Sequence, residues 1–170
     1  MSRAAVTLRP ASTEDEAFMA RVYASTREQE LAAVPFSPEQ KAAFLAQQFA
    51  AQSFHYAKHY ADASWSVIVV DGRPAGRLIV RRGDAAIHVI DIALLPEYRG
   101  RGTGTRLLRD LMGEARAGGK RLGIHVEATN PAMNLYRRLG FRAVEEAGLY
   151  LRMEWDPATG APGGQAKIAS

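Results

Sequence analysis

Between Arg99 and Thr105 the sequence RGRGTGT alternates glycines with arginines and threonines, and it stands between two apolar segments of different periodicity. Before it, AIHVIDIALL (86–95) is apolar nearly throughout and reads as one long strand buried on both faces. After it, Leu107, Leu108, Leu111, Met112 and Ala115 recur at helical spacing until GGK at Gly118, Gly119 and Lys120 stops the run. A strand that passes through a glycine-rich turn into a helix points to a mixed α/β architecture, and it also implies a ligand. Free backbone N–H groups and the positive end of the helix dipole converge at such a turn, and the missing β-carbons let phosphate oxygens come close. Arg99, Arg101 and Arg106 add charge in the same place. The ligand implied is a phosphate, and a diphosphate better than a single one.

The rest of the chain frames this unit. VTLRPAST (6–13) reads as a first strand, and Thr13 with Glu16 three residues on is a capping-box signal for a helix from about Glu14 into the twenties. Ser37, Pro38 and Gln40 supply an N-cap, a first-turn proline and a second box, opening a helix to about His59. WSVIVV (65–70), the turn Asp71-Gly72 and AGRLIV (75–80) read as an antiparallel hairpin. RGD (82–84) turns the chain into the long strand. Beyond the glycine turn and its helix, RLGIHVEA (121–128) reads as a strand, 130–139 as a short helix closed by Gly140, and RAVEE (142–146) with YLRMEW (150–155) as a last strand pair. The expected order is strand, two helices, three strands, helix, strand, helix, two strands. No internal repeat interrupts it. A single domain over residues 1–156 is expected, with a small, polar, disordered tail at 157–170.

Two familiar phosphate motifs do not fit. A P-loop ends in Gly-Lys-Ser/Thr, whereas Gly104 is followed by Thr105 and Arg106; the dinucleotide fingerprint needs a third glycine where Thr105 stands. R-x-x-G-x-G, read from Arg99 through Gly102 to Gly104, does fit. With it, DIALLPEYRGRGTGTRLL resembles the acetyl-CoA motif A of the GCN5-related N-acetyltransferase (GNAT) family, and NPAMNLYRRLGF downstream resembles its motif B. Taken with the order of elements, the resemblance covers about residues 4–156 and is to single-domain members of the bacterial type. It implies a mixed, mostly antiparallel sheet of about seven strands, splayed between the fourth and fifth and flanked by about four helices.

The resemblance also implies roles. The splayed strand would present backbone groups of Ile92 and Leu94 to the pantetheine arm and the acetyl carbonyl, with the Leu94 N–H as oxyanion donor. The diphosphate of acetyl-CoA, the acyl donor, would lie on the amides of Arg99, Gly100, Arg101, Gly102, Thr103, Gly104 and Thr105. Asn130 matches a cofactor-contacting asparagine, and Arg137 or Arg138 would reach the 3′-phosphate. Tyr136 matches the tyrosine that protonates the departing thiolate, a role suited to a phenol that keeps its proton at pH 7. For the general base His88, Glu127 or a water chain stands open. Alternation puts His88, Ile90, Ile92 and Leu94 on one face of their strand and Asp91 on the other, where a structural role is expected. Glu127, near His125 at the end of the next strand, is the alternative to His88.

The segment between the first two strands would form one side of the acceptor cleft, so Glu28, Glu30 and the aromatic run FHYAKHY with Tyr56 are acceptor-contact candidates, a carboxylate there suiting a cationic amine. His55 and His59 stand one turn apart in that run, but no nearby carboxylate or cysteine completes a metal site, so no metal is expected. The activity implied is acetyl transfer from acetyl-CoA to a primary amine of a small molecule or peptide by direct attack in a ternary complex. The alternatives are acetylation of a protein N-terminus or lysine, and a non-catalytic acyl-CoA-binding regulator.

Charge and composition bound the partners. A net charge of +4 and a pI of 9.6 raise the question of nucleic acid, but seven basic residues lie between Arg99 and Arg121, so a local anion site accounts for much of the excess. No nucleic-acid partner is expected. The absence of cysteine excludes disulfides, thiolate metal sites and a cysteinyl acyl-enzyme. No apolar h-region opens the chain and no apolar run approaches the roughly 20 residues that span a bilayer, so a cytoplasmic protein without membrane contact is expected. The resemblance allows a homodimer formed through the final strands.

Overall fold

The expected order of elements is the order found in a computed structural model that describes residues 3–159. β1 (Val6–Pro10) leads through a 3₁₀ turn (Thr13–Asp15) into α1 (Glu16–Ala32) and α2 (Pro38–His59). Then come β2 (Ser64–Val70), β3 (Arg73–Arg82), β4 (Ala86–Leu94) and a second 3₁₀ turn (Pro96–Tyr98). α3 (Thr103–Ala117), β5 (Arg121–Glu127), α4 (Met133–Leu139), β6 (Arg142–Ala147) and β7 (Tyr150–Trp155) complete the described residues. The seven strands form one sheet in the order β1-β2-β3-β4-β5-β7-β6. Pairing is antiparallel for β1 with β2, β5 with β7 and β6 with β7, and parallel for β4 with β5, with α3 as the crossover that parallel neighbours require. This is the GNAT architecture expected from the motifs. β6, at the sheet edge, is exposed along its whole length and carries a register shift between Ala143 and Glu145, a device that blunts an open edge.

Local chemistry explains most boundaries. Ser37 caps α2 as expected: its N–H donates to Gln40 Oε1 at 2.8 Å, and its Oγ accepts from the Gln40 N–H at 3.1 Å. Asp71 and Gly72 have φ of 50° and 80°, the two positive values that a two-residue hairpin turn needs. Gly119 (φ 64°) and Gly140 (φ 101°) stand just past α3 and α4, in the left-handed conformation that closes a helix.

Three expectations are corrected. The first capping box forms between Ser12 and Asp15, one residue earlier than Thr13 and Glu16, with the Ser12 N–H donating to Asp15 Oδ2 at 2.8 Å. Arg9 decides this. Its guanidinium donates to both Asp15 oxygens, at 2.9 and 2.8 Å, and holds that carboxyl well below the usual carboxylate range, so a 3₁₀ turn precedes α1. α4 begins at Met133 and not Asn130, because Asn130 Oδ1 accepts from the Ala132 N–H at 2.8 Å in a local turn that competes with the helix. β4 is not buried throughout. Ile87, Val89 and Ile90 are, whereas Asp91 to Leu94 are half-buried. The reason is the pairing: β4 and β5 pair from Ala86↔Arg121 to Val89↔Ile124, after which β4 runs on to Leu94 and β5 to Glu127. Of the tail expected from residue 157, residues 160–170 lie outside the described residues, and 157–159 form a turn.

The described residues gather into two compact units, one reaching to Ile79 and joined by Ile92–Arg101, the other made of Val80–Asp91 and everything from Gly102 onward. The first has a core of Met19, Tyr23, Phe49 and Val67, with the Tyr23 and Phe49 rings 5.9 Å apart. The second buries Leu107, Leu108, Leu111, Met112 and Ala115 of α3, together with Leu122, Ile124 and Val126 of β5 and Met153 and Trp155 of β7. At about 1.5–3 kcal/mol for each large side chain removed from water, the apolar stripe of α3 is ample reason for that helix to form where it does. Among the described residues no helix is long and apolar enough to cross a membrane.

Candidate active site

In the first unit the end of β4 is held from several sides. Gly76 on β3 lies against it so closely that a β-carbon there would stand 2.1 Å from the Ala93 carbonyl oxygen and 3.0 Å from Leu94 Cα. The Leu95 N–H donates to the Ala75 carbonyl at 2.8 Å. Arg99 differs from expectation. Its Nε donates to the Leu94 carbonyl at 2.9 Å, and its Nη2 reaches the carbonyl and Oγ of Ser25 on α1 at 3.4 and 3.3 Å, so the guanidinium turns back onto strand and helix. The Arg99 N–H is also engaged, with the Pro96 carbonyl at 3.2 Å. Of the residues expected to meet the diphosphate, Arg99 thus has both its guanidinium and its amide committed elsewhere.

Gly100 and Gly102 have φ of 73° and 82°, a conformation that other residues enter at a cost, and a β-carbon placed on Gly100, Gly102 or Gly104 would meet nothing within 4 Å. Gly102 caps α3, whose first N–H groups, at Thr103, Gly104 and Thr105, have no partner within the helix, while the Arg106 N–H closes the first turn onto the Gly102 carbonyl at 3.0 Å. Open space, left-handed glycines and helix-end donors together fit a diphosphate. Within the turn, the Arg101 guanidinium lies 5.8 Å from the centre of the Tyr98 ring, and both residues line a groove of about 420 Å³ with Val70, Asp71, Arg73 and Glu97.

The second unit carries Tyr136 on α4. The ring is 4% exposed and packs edge-on to Phe141, with centroids 6.1 Å apart. Burial, with the nearby Asp91 carboxylate adding to it, pushes the phenol up to about 12, so the hydroxyl holds its proton throughout the physiological range. Asn130, half-buried, spends Oδ1 on Ala132, and Arg137 and Arg138 are exposed. His88 pairs in register with Gly123, and its ring centre lies 5.2 Å from that of His125. Burial keeps both histidines below the usual imidazole range, hence neutral and able to accept a proton. Glu127 is the last residue of β5 and pairs with Tyr150.

Of the acceptor candidates, Glu28 is exposed on α1, and Glu30 accepts from Arg27 Nη1 at 2.9 and 3.1 Å. Tyr56 stands between Tyr60 and Trp65, 5.9 and 6.0 Å away, and His55 lies beside His59 at 4.3 Å, so the run is an aromatic wall. Three residues of consequence escaped the sequence reading. Gly76 had a signal, a glycine inside a strand. Arg77 on β3 is 1% exposed, donates to Gln52 Oε1 at 2.8 Å and lies 5.8 Å from the centre of the Tyr23 ring, yet an arginine in a strand does not announce its burial. Ser25 matters through Arg99, a partner far away in sequence.

Comparison with known proteins agrees with this fold. The family model described as "Acetyltransferase (GNAT) family" matches residues 20–141. A protein of Sulfurisphaera tokodaii named N-alpha-acetyltransferase is 37% identical over 70 residues, which is 39% of this chain and 40% of that protein, so the likeness spans less than half of the relative. Among solved structures, the PaiA N-acetyltransferase of Thermoplasma acidophilum in complex with coenzyme A superposes with a TM-score of 0.67 at 17% identity, over 89% of this chain and 99% of that one. The ribosomal-protein-S18-alanine N-acetyltransferase of Escherichia coli gives 0.59 at 20% identity, over 89% and 94%.

Proposed function

The chain belongs to the GNAT family of acetyltransferases, and from that premise we propose that it moves the acetyl group of acetyl-CoA to a primary amine by direct attack in a ternary complex. The observation that carries the reading is the course of β4, which leaves β5 after Val89 and runs on to Leu94 and into a turn whose glycines at 100 and 102 are left-handed at the head of α3. The thioester supplied by acetyl-CoA is the electrophile. Amides from Gly100 to Thr105 hold the diphosphate, and the Leu94 N–H donates to the acetyl oxygen as charge gathers there, a contribution of about 3 kcal/mol in a dry site.

Attack forms a nitrogen–carbon bond and breaks the carbon–sulfur bond. The amine's proton goes to Glu127, and the thiolate takes its proton from Tyr136. Glu127 is preferred to His88 by position along the strands. Glu127 stands three residues beyond the last β4–β5 pair, whereas His88 lies before it, six residues or about 20 Å of strand from Leu94. Asn130 and Arg138 are assigned to the cofactor, and Glu28, Glu30 and Tyr56 to the acceptor side.

Calorimetric titration with acetyl-CoA tests the donor half of the reading, beside a Gly102→Asp variant whose carboxylate would oppose the diphosphate. Stoichiometric binding by the native protein alone supports it; equal binding by both, or by neither, sinks it. A screen of amines by thiol release then tests the acceptor half. A protein or peptide N-terminus is the second reading, favoured by the stretch of 37% identity to the archaeal N-alpha-acetyltransferase, and short peptides in the same screen separate it from small amines. Binding without thiol release for any acceptor would favour a non-catalytic acyl-CoA regulator.

A further inference from the structure

We infer that Arg99 is a positioning residue for acetyl transfer, holding the end of β4 so that the Leu94 N–H faces the thioester and tying that peptide to α1, and not a ligand of the diphosphate. The inference rests on the acetyl-CoA reading above. Two consecutive peptides carry it. In the trans peptide between Ala93 and Leu94, carbonyl and N–H point in opposite directions. The Ala93 oxygen lies over Gly76, where a β-carbon would be 2.1 Å from it, so the Leu94 N–H is aimed away from β3. The next peptide is bound at both ends: the Leu94 carbonyl accepts from Arg99 Nε at 2.9 Å, and the Leu95 N–H donates to the Ala75 carbonyl at 2.8 Å. With that peptide plane fixed, the rotation that would swing the Leu94 N–H off target is blocked.

The guanidinium suits this task because its donors lie in one rigid plane and serve several acceptors at once. While Nε holds Leu94, Nη2 reaches the carbonyl and hydroxyl of Ser25, which is buried on α1 and itself donates to the Val22 carbonyl at 2.7 Å. Glu28 is one turn further along the same helix. A shift of α1 on the acceptor side is thus felt at the peptide that follows the one whose N–H would polarise the donor.

The thioester carbonyl reports on this without any acceptor. Acetyl-CoA labelled with carbon-13 at the carbonyl is bound to the native protein and to Arg99→Gln, Arg99→Lys and Ser25→Ala, with affinity read by calorimetry, the carbonyl stretch by infrared difference spectroscopy, and folding by circular dichroism. In the native complex the stretch is expected below its value in water. Both Arg99 variants are expected to bind within about threefold of native affinity while the band returns toward the free position, with Ser25→Ala intermediate. The lysine separates the alternatives, since it keeps the charge but cannot span Leu94 and Ser25. If Arg99→Gln weakens binding about tenfold or more, Arg99→Lys restores it and the band stays put, Arg99 is a charge for the diphosphate and the inference fails. An unmoved band in variants that bind normally overturns it as well. If the native protein binds no acetyl-CoA, the functional reading itself fails, and that result is distinct from both.

Discussion

The imidazole of His88 lies over Gly123, so closely that a β-carbon at residue 123 would stand 3.0 Å from its Cε1 and 3.2 Å from its Nδ1. His125 follows two residues later on β5. Desolvation is the main reason that both titrate low. His125, Arg152 and Arg81 add to it at His88 against Glu154, and Arg152 adds to it at His125 against Glu145. A histidine whose folded pKa lies below its unfolded value binds more protons when unfolded, so stability is complete above about pH 6.5 and falls as pH drops through that value. The urea midpoint should therefore be flat from about pH 8 to 7 and decline between about 6.5 and 5. The lowered carboxyls, Asp15 and Glu114, give way only at lower pH, in the carboxylate range and below. His88→Gln with His125→Gln should flatten the upper decline, and an unchanged profile would remove the histidines as its cause.

Tyr136→Phe keeps the ring that packs on Phe141 and removes only the hydroxyl. Thermal stability should change little. The kcat for thiol release should fall by about 10²-fold while KM for acetyl-CoA stays within about threefold, the pattern of a group that acts in the transition state. Equal losses in kcat and in affinity would reassign Tyr136 to packing.

Gly76→Ala adds a methyl where the Ala93 carbonyl already stands. The variant should lose about 1–3 kcal/mol by chemical denaturation, the usual range for overpacking, because the obstructing atom is backbone and cannot rotate away. Activity at a temperature where the variant is fully folded should drop further than acetyl-CoA affinity does. A variant as stable as the native protein would mean that β3 and β4 part more readily than their contact implies.

Gly102→Ala is a different experiment at a glycine. No atom lies within 4 Å of the new β-carbon, so the penalty is conformational, about 1–2 kcal/mol for holding alanine at φ 82°. Affinity for acetyl-CoA should fall by more than the stability loss accounts for, because the methyl enters the space assigned to the diphosphate. Calorimetry on the folded variant measures this directly, and undiminished affinity would remove the turn from the donor site.

How much of this was legible in advance varies with the range of the interaction. The Ser37 box, the Asp71-Gly72 turn and the apolar stripe of α3 are encoded within a few residues and stand where the sequence reading expected them. The Ser12–Asp15 box was missed by one residue because Arg9, reaching across the turn, chose the partner. Asn130 delayed α4 by a side-chain bond that competes locally with the helix.

By itself the sequence determined the order of elements and the glycine turn between strand and helix, since these follow from periodicity, steric limits and spacing along one chain, and its motifs A and B carried the resemblance to the family. Tertiary structure alone decided the rest. Only the packing of β3 on β4 gives Gly76 its role, only the return of the chain past α1 turns Arg99 from the anion turn onto Leu94 and Ser25, and only burial beside Asp91 raises the Tyr136 phenol. Hydrogen-bond choice and desolvation depend on which distant groups arrive nearby, and a one-dimensional pattern does not carry that information.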